Sequence, residues 1–405
     1  MLRLVQLSDL HFGPKHLEDK VRCLEEVLTF LQDWPPDVAA IPGDIYDHAL
    51  RLEDEAAQQS VRLLSALAER CPLLIARGNL THDRASVYLL RYVRGRFPIY
   101  VSTEPEALWF TGTEFVTVDP AGFCPPQARA LCCTLPYPSS AFLARTRTLG
   151  PQALHELVSR TLTEILHGFA ALVTPPDVPR ILLFHGAVRG ARLTETQHAM
   201  GLDIEVARSD IEQAGFHLAC CGHLHYPQQL GQVIFYTGGL THDTFGEEGD
   251  KGVWLHTLSG TSVTSAFRPV SSVPQRVFDL DLTADPPFLL PPPWADEPGD
   301  VKIRVQLRQD QLATLRTLDV HGLFPQARSL QVERLVAPVM AVRCDAVRRA
   351  HSLPEKIRAY LEYTGQPLSS SLLAKAQLLS ALEDSADALI AQVQAALTAH
   401  DAPTP

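Results

Sequence analysis

Five short apolar runs in the first 225 residues each break at the carboxyl end into side chains that bind metals or move protons. LRLVQLSD runs into Asp9-Leu10-His11, DVAAIPGD ends on Gly43-Asp44, and PLLIARGN ends on Gly78-Asn79 with His82-Asp83 three residues on. RILLF is followed by His185-Gly186, and HLACC by Gly222-His223-Leu224-His225. Short apolar runs bounded by turn residues read as buried strands. Between them Leu17, Val21, Leu24, Leu28 and Leu31 recur at helical spacing, LEDEAAQQSVRLLSALAER reads as a second helix, and the stretch from Leu154 to Leu166 as a third. Strand and helix in alternation predict an α/β fold. In such sheets the loops at the strand carboxyl ends open on one crevice. Segments far apart in the chain are therefore expected to meet at a single point.

The residue types say what that point can hold. Asp9, His11, Asp44, Asn79, His185, His223 and His225 offer imidazole, carboxylate and amide donors without a thiolate. Mixed nitrogen and oxygen donors suit Mn²⁺, Fe²⁺ or Zn²⁺ better than Ca²⁺, which takes oxygen. They are too many for one tetrahedral zinc. A pair of ions roughly 3.5–4 Å apart, sharing one carboxylate, uses them all. Taken singly each has a plainer use: Asp44 as a helix cap, Asp9 as a turn residue, His185 as a satisfied structural histidine. Their joint occurrence, each at a strand end, is what points to metal. His16, His155, His167, His198, His217, His256, His321, His351 and His400 have no such setting and read as structural or exposed. His48 stands four residues after Asp44, close enough to reach a substrate. Arg77, Arg84 and Arg189 flank the motifs as potential phosphate contacts or ordinary surface charges.

Composition narrows the class. With 35 Lys+Arg against 46 Asp+Glu the formal charge is −11, so no overall basic field favours nucleic acid. A local patch or a partner can still supply one; Lys302, Arg304, Arg308, Arg316 and Arg328 are the basic candidates of the later part of the chain. The eight cysteines form no CxxC pair; Cys132-Cys133 and Cys220-Cys221 sit in apolar runs and read as buried strand thiols. The start MLRLVQLSDLHF lacks the pattern of a secretory signal, and no run approaches the roughly 18 apolar residues of a membrane helix. A cytoplasmic protein without membrane contact is expected.

After about residue 270 the pattern changes. Six prolines between Pro286 and Pro298 mark a linker or a rigid excursion. RVFDLDL, VKIRVQL and SLQVERL alternate as half-buried strands, with QDQLATLRTL helical between the last two. From about residue 352 the chain reads as helix, ending in a segment with Leu373, Leu378, Leu379, Leu382, Leu389 and Val393 along one side. The expected layout is 1–272 for the site-bearing domain, 273–348 for a small α+β domain, and 349–405 for a helical tail.

Asp-x-His, Gly-Asp, Gly-Asn with a following histidine, a lone His and Gly-His-x-His, in this order, resemble the calcineurin-like metallophosphoesterases. LCCTLPYP and YTGGLTHDTFGEEGDKGVWL resemble stretches of SbcD-type DNA repair exonucleases, and the domain order is similar too. The resemblance implies a β-sandwich flanked by helices, a small α+β capping domain and a helical tail. It implies two divalent ions, with Mn²⁺ favoured: one held by Asp9, His11 and His225, the other by Asn79, His185 and His223, with Asp44 bridging. A water between them would attack a phosphodiester. The implied partners are double-stranded DNA ends and hairpins, an SbcC-like ABC-type ATPase docked by the tail, and a second copy of the chain. One departure stands out: the family places its catalytic histidine directly after the asparagine, whereas Leu80-Thr81 intervene here. His82 is expected to reach the phosphate from a looped-out turn, with Asp83 orienting its ring. Thr241-His242-Asp243 repeats the tripeptide and is a rival proton source.

Overall fold

A computed structural model of the chain describes residues 1–119, 123–138, 151–194, 197, 205–283, 291–312, 315, 319, 321–336 and 344–380. The first half runs β1 (Leu2–Gln6), α1 (Leu17–Phe30), β2 (Val38–Pro42), α2 (Glu55–Ala68), β3 (Leu73–Ala76), α3 (Ala85–Leu89), β4 (Ile99–Ser102), β5 (Glu106–Phe110), β6 (Phe115–Thr117) and β7 (Ala130–Leu135). There follow α4 (Pro151–Ala170), β8 (Arg180–His185), β9 (Ala187–Val188), β10 (Glu205–Val206), α5 (Arg208–Gln213), β11 (Leu218–Gly222), β12 (Gln228–Leu230), β13 (Ile234–Tyr236), β14 (Gly252–Ser259) and β15 (Ser262–Pro269). The order β15-β14-β1-β2-β3-β4 makes one sheet and β12-β13-β11-β8-β7-β5-β6 a second.

Side-chain alternation explains why the two sheets stack. Leu2 and Leu4 of β1, Val38 and Ala40 of β2, and Leu74 and Ala76 of β3 share one apolar core with Leu108, Ala130, Cys132, Ile181, Leu183, Leu218 and Cys220 of the other sheet. The intervening residues point the opposite way. Val5, Ala39, Leu73 and Ile75 meet α1 and α2, and Leu131, Cys133, Leu182 and Cys221 meet Val158, Leu162, Leu166 and Phe169 of α4. The result is a β-sandwich with a helical layer on each outer face, the period of two assigning each residue its layer. The same alternation sends the neighbours Cys132 and Cys133 to opposite faces, and Cys220 and Cys221 likewise; all four are buried and reduced.

Topology then brings the chemistry together. β1, β2 and β3 are parallel, so their carboxyl ends share one edge of the first sheet. β8 and β11 are parallel as well, with His185 opposite Gly222. The two edges abut: the Gln6 amide donates to the Cys221 carbonyl, and Ser8 Oγ and His185 Nδ1 both approach the carbonyl of Pro42.

The residues up to 306, together with 316–335, form one compact unit, and residues 307–315 with 336–405 a second. The first contains most of a three-stranded sheet ordered β16 (Gln275–Asp281), β17 (Gly299–Leu307), β18 (Ala327–Val336). It is tied to the sandwich through Arg328, whose guanidinium pairs with Asp300 of β17 and with Asp19 of α1. Within the helix expected at 309–318 a short turn of 3₁₀ helix, Gln309–Gln311, is described. The second unit contains helices α6 (Asp345–Arg349), α7 (Leu353–Thr364) and α8 (Ser370–Ser380). Ser352 and Glu355 cap the start of α7 reciprocally, and Gly365 ends it with a φ of 69°. The stripe positions Leu382, Leu389 and Val393, Arg316, and the histidines at 198 and 400 lie outside the described residues. No helix among the described residues is long and apolar enough to cross a membrane.

Candidate metal centre

Turns at the strand ends aim the side chains at one point, and they are strained. Among the described residues five other than glycine have positive φ, and Asp9 (50°), His11 (45°), Asp44 (52°) and His223 (94°) are four of them. An L-residue in this region costs about 1–3 kcal/mol and persists where surrounding contacts enforce it, most often at functional sites. Those contacts are visible. The Asp9 and His11 amides donate to the carbonyls of Gly43 and Asp44, locking the first turn to the second. Gly78 has no room for a side chain: a Cβ there would lie 2.0 Å from Asp44 Oδ1.

The seven predicted ligand residues converge. The Nε2 atoms of His11 and His225 lie 3.1 Å apart. Asp44 Oδ2 stands 3.4 Å from His185 Nε2 and 4.0 Å from His11 Nε2. Three overlapping sets, Asp9–His11–His225, His11–Asp44–His82 and Asp44–His185–His223, each have donor atoms within 4.8 Å of one another. Asn79 closes the ring, its backbone N–H donating to Asp44 Oδ1 at 2.6 Å. Asp44 belongs to two sets and is buried between them.

Several features suit these residues to cations. Asn79 Oδ1, His185 Nε2 and His11 Nδ1 are buried without a hydrogen-bond partner. Orphaned polar atoms at such depth are costly, and Asn79 Oδ1 and His185 Nε2 are lone-pair donors that an ion would satisfy. The tautomers agree: His185 Nδ1 lies 2.7 Å from the Pro42 carbonyl and His225 Nδ1 3.1 Å from Glu247 Oε1, so each Nδ1 carries a proton and, in the neutral ring, each Nε2 a lone pair. The electrostatics agree as well. Burial opposes charge on His185, yet Asp44 and Asp9 together lift its pKa to about 9: without an ion this field favours a proton on Nε2, the place a cation would take. Burial first, and then the Asp44 charge, push Asp83 up to about 7.

His82 lies in this cluster, its ring edge-on to His11 with centroids 4.7 Å apart. Its Nδ1 is 2.6 Å from the carbonyl of Asp47. Asp83 does not orient that ring, which corrects the expectation from sequence. Its carboxylate is buried and accepts from the amides of Ile45, Tyr46 and Gly78, pinning the turn after β2 to the turn after β3. The inserted Leu80-Thr81 form a turn in which the amides of His82 and Asp83 both donate to the Asn79 carbonyl, and successive side chains in such a turn diverge.

Other candidates are engaged elsewhere. His48 is exposed beside Asp47. Arg77 is buried with its guanidinium on the Tyr137 carbonyl and Tyr88 hydroxyl, and Arg189 pairs with Glu205. His242 lies between Ser272 Oγ and the Gly249 carbonyl. Arg304 pairs with Asp279, Arg308 with Asp310, and Lys302 stands 4.0 Å from Glu333. Sequence reading gave no role to Glu247, Lys251 or Lys20, which buttress the histidines. The signal available was an acid and a lysine in the glycine-rich stretch FGEEGDKG, four residues apart. Tyr137, quoted only as part of a motif, faces the rings of His185 and His223 at 6.2 and 6.4 Å.

The chain matches the calcineurin-like phosphoesterase family over residues 2–227. Among solved structures, a dimetal phosphatase from Danio rerio is 10% identical with a TM-score of 0.38, the match covering 65% of this chain and 98% of that one. The family match spans more than half of the 405 residues, and the chain belongs to the calcineurin-like phosphoesterases.

Proposed function

We propose that this chain is the nuclease subunit of an SbcC–SbcD-like DNA break-repair complex, hydrolysing phosphodiester bonds at double-stranded ends and hairpins. One observation carries the nuclease reading beyond the family. Both stretches that resemble SbcD-type exonucleases land on the histidines of the site: Tyr137 of Leu-Pro-Tyr faces His185 and His223, and Glu247 of Phe-Gly-Glu holds His225.

Asp9, His11 and His225 would hold one divalent ion, and Asn79, His185 and His223 the other, with Asp44 shared and Mn²⁺ the favoured metal. When bound, such a pair supplies Lewis acidity and makes water nucleophilic near neutral pH. The protein's own part is positional. The Asp47 carbonyl accepts from His82 Nδ1–H, so a ring carrying both protons would have its Nε2–H left to hold the scissile phosphate or pass a proton to its departing oxygen. In this reading the DNA, an SbcC-like ATPase and a second copy of the chain are the partners in the cell's cytoplasm.

A second reading, a free-standing phosphodiesterase for small nucleotides or phosphoproteins, has its own support. The basic residues Lys302, Arg304 and Arg328 each face an acid, so their charge is largely spent within the protein. Purified protein with Mn²⁺, linear duplex and bis-p-nitrophenyl phosphate, with and without the ATPase, decides between them. The nuclease reading expects chelator-sensitive cleavage of the duplex. Hydrolysis of the small ester with the duplex untouched in both conditions favours the free-standing enzyme. Metal binding without hydrolysis of either leaves a DNA-end-binding scaffold.

A further inference from the structure

Two lysines are buried beneath the site, and they are arranged alike. Lys20, on α1, donates to the carbonyl of His11 at 2.5 Å and pairs with Asp243 at 2.9 Å. Lys251, at the entry to β14, donates to the carbonyl of His225 at 3.0 Å and pairs with Glu247 at 2.6 Å. Lys251 and Glu247 have fully buried side chains, and that of Lys20 is 3% exposed. Both acids come from the single loop between β13 and β14. Glu247 also reaches the imidazole itself: Oε1 accepts from His225 Nδ1 at 3.1 Å and from the Thr244 amide and hydroxyl.

Taking an ammonium and a carboxylate out of water costs several kcal/mol per ion before any return, so such pairs are poor devices for stability alone. A buried lysine does what an apolar residue cannot: it fixes a backbone carbonyl at a set distance. Here the two carbonyls belong to His11 and His225, whose Nε2 atoms meet at 3.1 Å. The described hydrogen bonds of His185 are of another kind, to the Pro42 carbonyl on a strand, with no lysine or loop acid involved.

We propose that the loop carrying Asp243 and Glu247, with Lys20 and Lys251, is a positioning frame for one ion site, Asp9–His11–His225, and not for its neighbour. The frame sets both histidine backbones, and Glu247 fixes the His225 tautomer that presents its Nε2 lone pair. The inference rests on the two-ion reading above and adds to it an asymmetry: damage to the frame strips one ion and spares the other. Asp243, Glu247, Lys20 and Lys251 are positioning residues, since none belongs to the ligand set.

The test is Mn²⁺ binding to the full-length chain, read by equilibrium dialysis with electron paramagnetic resonance of the free ion, without substrate. The variant is the double replacement Glu247→Gln with Lys251→Met, which removes both buried charges at similar volume and leaves an amide oxygen for His225. Removing both members of a buried pair is far milder for folding than removing one, and circular dichroism checks the fold. Asp243→Asn is measured beside it. Loss of an outer partner of a metal-bound histidine typically weakens binding about 10–100-fold. The double variant is expected to show that loss at one of two sites, with the other within about twofold of wild type. Two ions held as in wild type, or both weakened alike, overturns the frame. Wild type saturating at one ion per chain overturns the two-ion reading instead, so the two failures are distinct.

Discussion

Replacing Asp83 by asparagine separates two roles that adjacency in sequence runs together. The carboxylate is buried, and one oxygen accepts from Ile45 N at 2.9 Å and Tyr46 N at 3.2 Å, the other from Gly78 N at 2.8 Å. These amides lie in the turns that carry Asp44 and Asn79. Asparagine keeps one oxygen and puts an N–H₂ group where the other stood, so in either orientation at least one backbone N–H faces a donor. A buried donor left without an acceptor costs about 1–3 kcal/mol, so Asp83→Asn is expected to lose about 1–3 kcal/mol, less the part returned by removing a charge that burial penalises, and Asp83→Ala, orphaning three donors, about 3–9. The alanine variant consumes much of the roughly 5–15 kcal/mol that holds a typical domain folded, so asparagine is the informative change. The assay is urea unfolding of the metal-free chain followed by far-UV circular dichroism, with His82→Ala as the comparison. Asp83→Asn should lower the midpoint at an unchanged slope, and should weaken metal binding because the ligand turns loosen together. His82→Ala should stay within about 1 kcal/mol of wild type. If Asp83→Asn unfolds with the wild-type midpoint while its turnover drops in step with His82→Ala, the carboxylate serves the imidazole and the account of it as a backbone staple is wrong.

Three further outcomes follow from other parts of the molecule. His82→Ala should cut cleavage of a DNA phosphodiester, whose leaving alkoxide needs a proton, by about 10²–10⁴-fold, the usual worth of a general acid, and hydrolysis of bis-p-nitrophenyl phosphate, whose nitrophenolate leaves unaided, by much less, with Mn²⁺ stoichiometry unchanged; loss of an ion would make His82 a ligand instead. His256 is buried between Ser265 Oγ and Gln6 Oε1, and burial lowers its pKa to about 3. The unfolded chain therefore takes up a proton that the folded one refuses: stability is complete above about pH 6.5 and is lost as the pH falls toward 3, by up to about 1.4 kcal/mol per unit. His256→Gln should flatten the stability profile from roughly pH 6 to 4, and parallel profiles would refute this assignment. Arg328 is partly exposed, but Asp300 and Asp19 beneath it are largely buried. Arg328→Ala should cost about 1–2 kcal/mol in urea unfolding, discounted for that exposure; an unchanged midpoint with weakened duplex binding would restore it as a phosphate contact.

What sequence reading placed, and what escaped it, divides along a physical line. The candidate ligand positions were legible as strand ends because they depend on local rules: an apolar run sets a strand, a glycine turn ends it, and parallel strands put their carboxyl ends on one edge. Asp9, Asp44, Asn79, His185 and His223 follow from those steps before any contact is known, and the helices α1, α2 and α4 lie where their apolar spacing put them. Partnership is not local. Lys302 and Arg304 stand two residues apart on β17, and alternation alone puts them on one face as a basic pair. Across the sheet, however, Arg304 meets Asp279 of β16 and Lys302 faces Glu333 of β18, and only the pairing of strands reveals that neutralisation. The His82-Asp83 dipeptide fails in the same way. Neighbours in a chain are read as a unit, yet a turn sends one side chain beside His11 and the other beneath the backbone. Glu247 is the sharpest case: its chemistry is defined by His225, twenty-two residues back, and by a lysine whose charge is hidden from solvent. A ligand can be guessed from what precedes it in the chain, whereas a support is recognised only from what lies above it in space. Single-sequence reading of a metal centre therefore finds the inner residues first and leaves the scaffold that aligns them to the coordinates.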